Sequence, residues 1–237
     1  MIQRSFFMAK IYFLRHGQTD MNISHMLQGR TNTDLNDRGR RQARSAGRAF
    51  ERDGIRPDII FSSPLNRVRE TVGEALAVNS LEPIDMTLGE ALVYQGEKIP
   101  RVTDERLIEM SFGEVEGIPM SELPDDFAEI FFEDPANYEP VPGAESYQEL
   151  LKRCRSFIGY LRENTRPGAI LADKTIVCAT HGGVLHGMLL LLWHRDLEDF
   201  WKQQVLNCAI VRADLADSAE DDTAEFIEEG FTGEEKM

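Results

Sequence analysis

Four apolar residues in succession, Ile11-Tyr12-Phe13-Leu14, run directly into Arg15-His16-Gly17. A short unbroken apolar run bounded by polar residues reads as a buried strand. In open α/β sheets, ligands bind beyond the carboxyl ends of the strands. Arg15 and His16 stand at such an end, and Gly17 lets the backbone turn sharply and approach a ligand closely.

One Arg-His-Gly ending carries little weight, but this one recurs. Asp58-Ile59-Ile60-Phe61 leads through Ser62-Ser63-Pro64-Leu65-Asn66 to Arg67, and Thr175-Ile176-Val177-Cys178-Ala179 leads through Thr180 to His181-Gly182-Gly183. If the three strands are parallel neighbours, two arginines and two histidines converge on one rim.

A length of 237 residues suits one large α/β domain, and an apolar fraction of 42% suffices for its core. The net charge of −15 argues against nucleic acid and anionic membranes as partners. It also makes a local cluster of cations conspicuous. Cys154, Cys178 and Cys208 are far apart and show no metal-site spacing, which points to free thiols in a cytoplasmic, reducing compartment. Met1–Phe7 is too short for a secretory signal, and Met8 stands where translation could equally begin.

The intervening chain falls into readable pieces. Gln18 to Leu35 is a long loop without apolar period, from which Asn22, Gln28 and Gly29 can reach back to the rim. Asn36 or Asp37 caps a helix to about Asp53, whose many arginines form a solvated face. Pro64 opens a helix to about Val78 with Arg67 in its first turn, where a cation meets the unfavourable end of the helix dipole and calls for an anionic partner. A short strand is expected between Leu81 and Leu92. Leu107 to Leu151 contains no Lys or Arg and is rich in acids and aromatics, as an inserted cap of short helices would be. Within it, apolar neighbours flank Glu109, a setting in which a carboxyl can serve as a general acid. Ser146 and Glu149 form a capping box for a helix to Asn164. Val184–Trp193 is a buried helix whose glycines offer amides to an anion. His186 and His194 are read as structural. Asn207–Leu215 is a last strand, and the acidic residues 216–237 are expected to pack loosely.

Two arginines, two histidines and helix-terminal amides suit a phosphoryl group, because guanidinium forks match its oxygens. A neutral imidazole can be the nucleophile, and one carboxylic acid can protonate the leaving oxygen. No P-loop, zinc-binding H-E-x-x-H or G-x-S-x-G elbow is present.

Arg15-His16-Gly17-Gln18-Thr19 with Asn22 resembles the R-H-G-x-T-x-x-N signature of the histidine phosphatase superfamily, the phosphoglycerate mutase-like proteins. Ser62 to Arg67 with Thr71 is similar to its S-S-P-L-x-R block. Leu107-Ile108-Glu109 with Phe112-Gly113 and Glu116-Gly117 matches L-x-E-x-x-F-G-x-x-E-G. Pro142 to Ser146 resembles P-G-G-E-S with Ala144 for the second glycine, and Thr180-His181-Gly182-Gly183 the second-histidine motif. The resemblance runs from about Ala9 to Leu215, with Val115 and Thr180 standing where Trp and Ser are common.

The resemblance implies a three-layer α/β/α sandwich with a mostly parallel central sheet and an inserted, mainly helical cap. It implies a single domain over 1–237, with a core of about 9–215, a cap of about 114–145 and a tail of about 216–237. It further implies that His16 is the phosphorylated nucleophile. Arg15, Arg67 and His181 bind and neutralise the phosphoryl group, and Glu109 is proton donor and then base. Asn22, Gln28, Gly29 and Gly182 contact substrate. No metal or other cofactor is required.

Phosphoglycerate mutases resemble the core, but their caps carry basic residues that are missing here. The expectation is therefore hydrolysis of a phosphomonoester, small-molecule or phosphoprotein, with a leaving group that is neutral, aromatic or cationic. The alternatives are a mutase-type phosphotransferase and a non-catalytic phospho-ligand binding module.

Overall fold

The computed structural model describes residues 9–77, 91–94, 97–124 and 126–231. In chain order the elements are β1 (Lys10–Arg15), α1 (Asp20–Ile23), α2 (Asp37–Arg52), β2 (Ile59–Ser62), α3 (Asn66–Ala77), β3 (Ala91–Tyr94), β4 (Glu97–Thr103), α4 (Phe127–Glu133), α5 (Tyr147–Thr165), β5 (Thr175–Thr180), α6 (Gly182–Leu192), β6 (Ile210–Asp214) and β7 (Thr223–Glu228). Short 3-10 turns link several of them.

Seven strands form one sheet in the order β3-β4-β2-β5-β1-β6-β7. Its four central strands are parallel, and antiparallel strands extend both edges. The register places Arg15 opposite Thr180 and Ser62 opposite Ala179. The three strand ends singled out in the sequence therefore leave the sheet at one edge, side by side.

Alternation along the buried strands sends successive side chains to opposite faces. Ile11, Phe13, Phe61, Ile176 and Cys178 pack in one core with α5, α6 and the cap aromatics. Tyr12, Leu14, Ile60, Val177 and Ala179 pack in another with α2 and α3. The result is the expected α/β/α layering. Both faces of the sheet are covered, which is why its strands carry apolar runs rather than alternating ones. Arg40 and Arg44 of α2 pair with Glu70 and Glu74 of α3, so part of the basic face serves helix packing.

Several local expectations change. The loop after β1 contains α1, because Thr19 and Asn22 form a reciprocal capping box. Asn36, not Asp37, caps α2 by accepting the Gly39 amide. The acidic stretch after Ala216 is not loose: residues 223–228 pair with β6 as the edge strand β7. From this strand Ala224 and Phe226 pack on one core and Ile227 on the other, while Glu225 stays exposed and Glu228 pairs with Arg52. The start at Met1 or Met8, the chain from 232 to 237 and most of the expected strand at Leu81–Leu92 lie outside the described residues. The last two residues of that expected strand, Ala91 and Leu92, open β3. His194 adopts φ 55° and faces the carbonyl of Asp222 at 3.3 Å, as a structural histidine.

Candidate active site

Parallel pairing continues one residue beyond the strands. The amide of His16 donates to the carbonyl of Thr180 at 3.0 Å, and that of Ser63 to Ala179 at 3.1 Å. These bonds set His16, Ser63 and His181 shoulder to shoulder. The rings of His16 and His181 meet edge to face, with centroids 5.2 Å apart and planes at 64°. The close approach that Gly17 permits in this structure is to a neighbouring helix. A Cβ there would lie 2.5 Å from the carbonyl oxygen of Gly39, so this glycine lets α2 press against the strand end.

The tautomer of His16 follows from its neighbours. Nδ1 lies 2.7 Å from the carbonyl of Gly17, which can only accept, so Nδ1 carries the proton. Nε2 is left with its lone pair, and the ring lines a cleft of about 210 Å3. Burial first, then the charges of Arg67 and Arg15, hold His16 well below the usual imidazole range. It is a neutral base at physiological pH.

Arg67 has no solvent exposure. Its Nε donates to Nδ1 of His181 at 3.2 Å, Nη1 to the carbonyl of Thr31 at 2.8 Å and Nη2 to that of Gly29 at 2.7 Å. Burial lowers this guanidinium to about 10, which still leaves it a cation at pH 7. Arg15 donates to the carbonyl of Val205, while its buried Nε has no partner among the described residues. An unpartnered buried donor at the edge of a cleft is what an anion site provides before its ligand arrives.

His181, expected beside the phosphoryl group, has both ring nitrogens engaged by the protein. Nδ1 receives the Arg67 Nε–H, so Nε2 is the protonated nitrogen and donates to Ser63 Oγ at 2.7 Å. Burial and the charge of Arg67 hold the ring well below the usual range. It is fully buried, and it does not line the cleft. A neutral ring with both nitrogens engaged adds no positive charge to the site, and the cations that line the cleft are Arg15 and Arg67.

Glu109 does line the cleft. Its Oε1 accepts from the amides of Met110 at 2.9 Å and Val184 at 3.3 Å, and its Oε2 from Gly183 at 3.2 Å. The carboxylate thus occupies much of the amide cradle at the start of α6. A Cβ on Gly183 would stand 2.8 Å from Oε1, so the glycine admits the carboxylate.

The predicted contact residues are also at the cleft. Asn22, Gln28, Gly29 and Gly182 all border it. Thr19 donates its hydroxyl to Gln28 Oε1 at 2.9 Å and contacts Asn22 Oδ1 at 3.3 Å, and Thr33 donates to Gln28 Oε1 at 3.0 Å. With their oxygens occupied, both side chains have NH2 groups left to offer an anion. Gly29 adopts φ 49° and gives its carbonyl to Arg67.

Three features escaped the sequence reading. Glu116, within a quoted motif but given no role, accepts the amides of Arg30 and Thr31 at 2.9 Å each and that of Phe112 at 3.0 Å, holding the loop that grips Arg67. Glu145 binds Arg153 through both oxygens, at 2.7 and 2.9 Å, while Arg153 donates to the carbonyls of Arg106 and Ile108. Trp201 and His186 form part of the cleft wall. Only the motif position of Glu116 and Glu145 signalled them; Trp201 carries no local signal. The cap aromatics Phe127, Phe131 and Tyr138 are buried in the core, which is the packing role favoured from sequence.

Known proteins share this sequence pattern and fold. The model of the histidine phosphatase superfamily (branch 1) matches residues 11–221. A Hydrogenobacter thermophilus protein named "Putative phosphoserine phosphatase 2" is 33% identical over 205 residues, 86% of this chain and 88% of that one. A 2,3-bisphosphoglycerate-dependent phosphoglycerate mutase of Bradyrhizobium diazoefficiens is 27% identical, over 82% of this chain and 86% of that one. Among solved structures, a mycobacterial glucosyl-3-phosphoglycerate phosphatase complexed with VO3 shares the fold at a TM-score of 0.70. It is 23% identical and covers 92% of this chain and 97% of its own.

Proposed function

The chain belongs to the histidine phosphatase superfamily, and on that premise we propose that it hydrolyses small phosphomonoesters through a phosphohistidine on His16. The observation that carries this reading is the bond from His16 Nδ1 to the Gly17 carbonyl, which leaves an unprotonated Nε2 at a cleft flanked by the buried Arg67 and the half-buried Arg15.

The steps follow from the side chains. Nε2 of His16 attacks phosphorus, and the bond from phosphorus to the ester oxygen breaks. The electron pair goes to that oxygen, which takes the proton of Glu109. Positive charge spreading onto the ring is met by the Gly17 carbonyl at Nδ1. Arg15 and Arg67, with the amide groups of Asn22, Gln28 and Gly182, hold the phosphoryl oxygens throughout. Water then attacks phosphorus and gives its proton to Glu109. The P–N bond breaks, its electrons return to Nε2, and inorganic phosphate leaves. His181 acts through Arg67, whose Nε it anchors, and through its packing on His16.

Hydrolysis is favoured over phosphoglycerate mutation by the stretch from Leu107 to Leu151, which offers no Lys or Arg to a carboxylate or second phosphate. The cleft, about 210 Å3, falls below the ~300 Å3 at which drug-sized sites begin, and suits a small ester better than a phosphoprotein. Cys154, Cys178 and Cys208 are free and buried, in keeping with a reducing cytoplasm. No helix among the described residues is long and apolar enough to cross a membrane.

The test is phosphate release from a panel of phosphomonoesters in EDTA, with wild type and His16→Ala. Turnover through an acid-labile phosphoenzyme that His16→Ala abolishes is expected. Isomerisation of 3-phosphoglycerate faster than phosphate release would replace this reading by the mutase. Binding without turnover would leave a phospho-ligand module.

A further inference from the structure

Besides the two arginines and Glu109, the cleft is lined by Met26, Phe112, Phe131, Phe132 and Trp201, with His186 beside them. Trp201 spends its indole N–H on the Tyr147 hydroxyl at 2.7 Å, and that hydroxyl donates to the Phe131 carbonyl at 2.7 Å. The aromatic wall therefore has no spare donor there.

His186 is different. It is 8% exposed, and its ring lies against Trp201, with centroids 4.6 Å apart. Nδ1 is 3.1 Å from the carbonyl of Gly182, one turn back along α6. A carbonyl only accepts, so Nδ1 holds the proton and Nε2 holds a lone pair. No hydrogen bond reaches Nε2 among the described residues, yet it is not one of the sealed, unpartnered atoms. His186 borders two hollows, and the second has room for only about 10 Å3, so the cleft is the space large enough for a ligand beside this ring.

We propose that His186 is a specificity-determining residue that accepts a hydrogen bond from an uncharged hydroxyl on the organic part of the substrate. The proposal rests on the phosphatase reading of the same cleft and adds the class of leaving group. Four residues of helix separate Gly182 at the phosphoryl site from His186, a rise of about 6 Å. That is the reach of a two- or three-carbon alcohol, so the fitting substrate is a short polyol monophosphate whose carbon skeleton lies on the aromatic wall. A carboxylate at the same place would set its lone pairs against that of Nε2 and has no proton to give it, and Arg15, the cation that acts on this ring, is already taken up by the phosphoryl oxygens. Burial, with Arg15 nearby, pulls His186 down to about 3, so the ring stays an acceptor across the working range.

Three esters of matched length test this: glycerol 3-phosphate, n-propyl phosphate, which lacks the hydroxyls, and 3-phosphoglycerate, which replaces the terminal hydroxymethyl by carboxylate. In wild type, kcat/KM for glycerol 3-phosphate is expected to exceed that for n-propyl phosphate by about fivefold or more, the effect of one hydrogen bond. It should exceed that for 3-phosphoglycerate by a larger factor. His186→Phe keeps the ring and should bring the ratio of glycerol 3-phosphate to n-propyl phosphate close to one. His186→Gln, which retains an acceptor, should restore part of it. Equal rates for the first two esters in wild type, a preference for 3-phosphoglycerate, or an unchanged ratio in a folded His186→Phe protein would overturn the proposal. If no ester is turned over, the phosphatase reading fails separately. Calorimetric titration of the three esters into His16→Ala then decides the role of His186, and equal affinities would refute it.

Discussion

Arg67 donates its Nε–H to Nδ1 of His181 at 3.2 Å, so one buried cation fixes the tautomer of a ring that it also keeps from protonating. The same guanidinium closes on the carbonyls of Gly29 and Thr31. A planar fork with several donors can serve a ring, a loop and a ligand together, whereas a lysine ammonium is a point charge. Arg67→Lys is therefore expected to lower kcat/KM by about a hundredfold or more. It should also destabilise the fold by about 1–3 kcal/mol, through buried carbonyls left unpaired. Steady-state kinetics and denaturant titration check both. Near-wild-type kinetics would remove Arg67 from the phosphoryl site.

Stability should fall in mild acid. Burial holds His16 and His181 well below the usual imidazole range and His186 at about 3, whereas the unfolded chain takes up protons on all three near pH 6.5. Below that pH the unfolded state binds more protons than the native state, so each lost pH unit costs up to ~1.4 kcal/mol per histidine until its native value is reached. For His186 the window runs from about 6.5 down to about 3. Urea midpoints at pH 7, 6 and 5 should decline, and less so in His186→Phe. A flat series would mean that the rings are charged or accessible in the native protein.

Glu145 is expected to position the proton donor. Arg153, bound by both Glu145 oxygens, holds the carbonyls of Arg106 and Ile108, and Arg30 reaches the Glu109 carbonyl at 3.3 Å and Glu145 at 3.4 Å. Loosening this clamp should misplace the Glu109 carboxyl without touching the nucleophile. Protonation matters most for poor leaving groups. Glu145→Gln should therefore slow alkyl phosphates by about tenfold while slowing p-nitrophenyl phosphate by less than about threefold. Equal slowing of both would assign Glu145 a general structural role.

Gly29→Ala meets two obstacles. The residue adopts φ 49°, and its Cβ would fall 2.0 Å from Glu116 Oε1. Moving Glu116 releases the amides of Arg30 and Thr31, and with them the carbonyls that hold Arg67. The substitution should cost about 1–3 kcal/mol of stability and weaken binding of inorganic phosphate. Calorimetry on the folded variant would show the second effect; unchanged phosphate affinity would separate the loop from the anion site.

The boundary between what was readable and what was not follows the range of the interactions. Arg15-His16, Arg67 and His181-Gly182 could be placed at strand ends because apolar runs and turn residues are local signals, and parallel neighbours bring such ends together. Glu109 was legible only beside them. The contact of Gly17 with α2 was not legible because its close neighbour, Gly39, comes from another element of the fold. The acidic segment at 223–228 became an edge strand because β6 offers it a partner ladder, which composition does not record.

By itself, then, the amino-acid order determined the α/β alternation, the strand-end cluster and the family signature, since these rest on local periodicity and short spacings. Tertiary structure decided the protonation pattern: which nitrogen of His16 is free, why His181 is neutral and turned to Arg67, and that His186 looks onto the cleft. Tautomers are set by carbonyls and guanidiniums that reach a ring through backbone turns and from distant elements, and burial depends on every layer packed above. Neither quantity exists until the chain is folded.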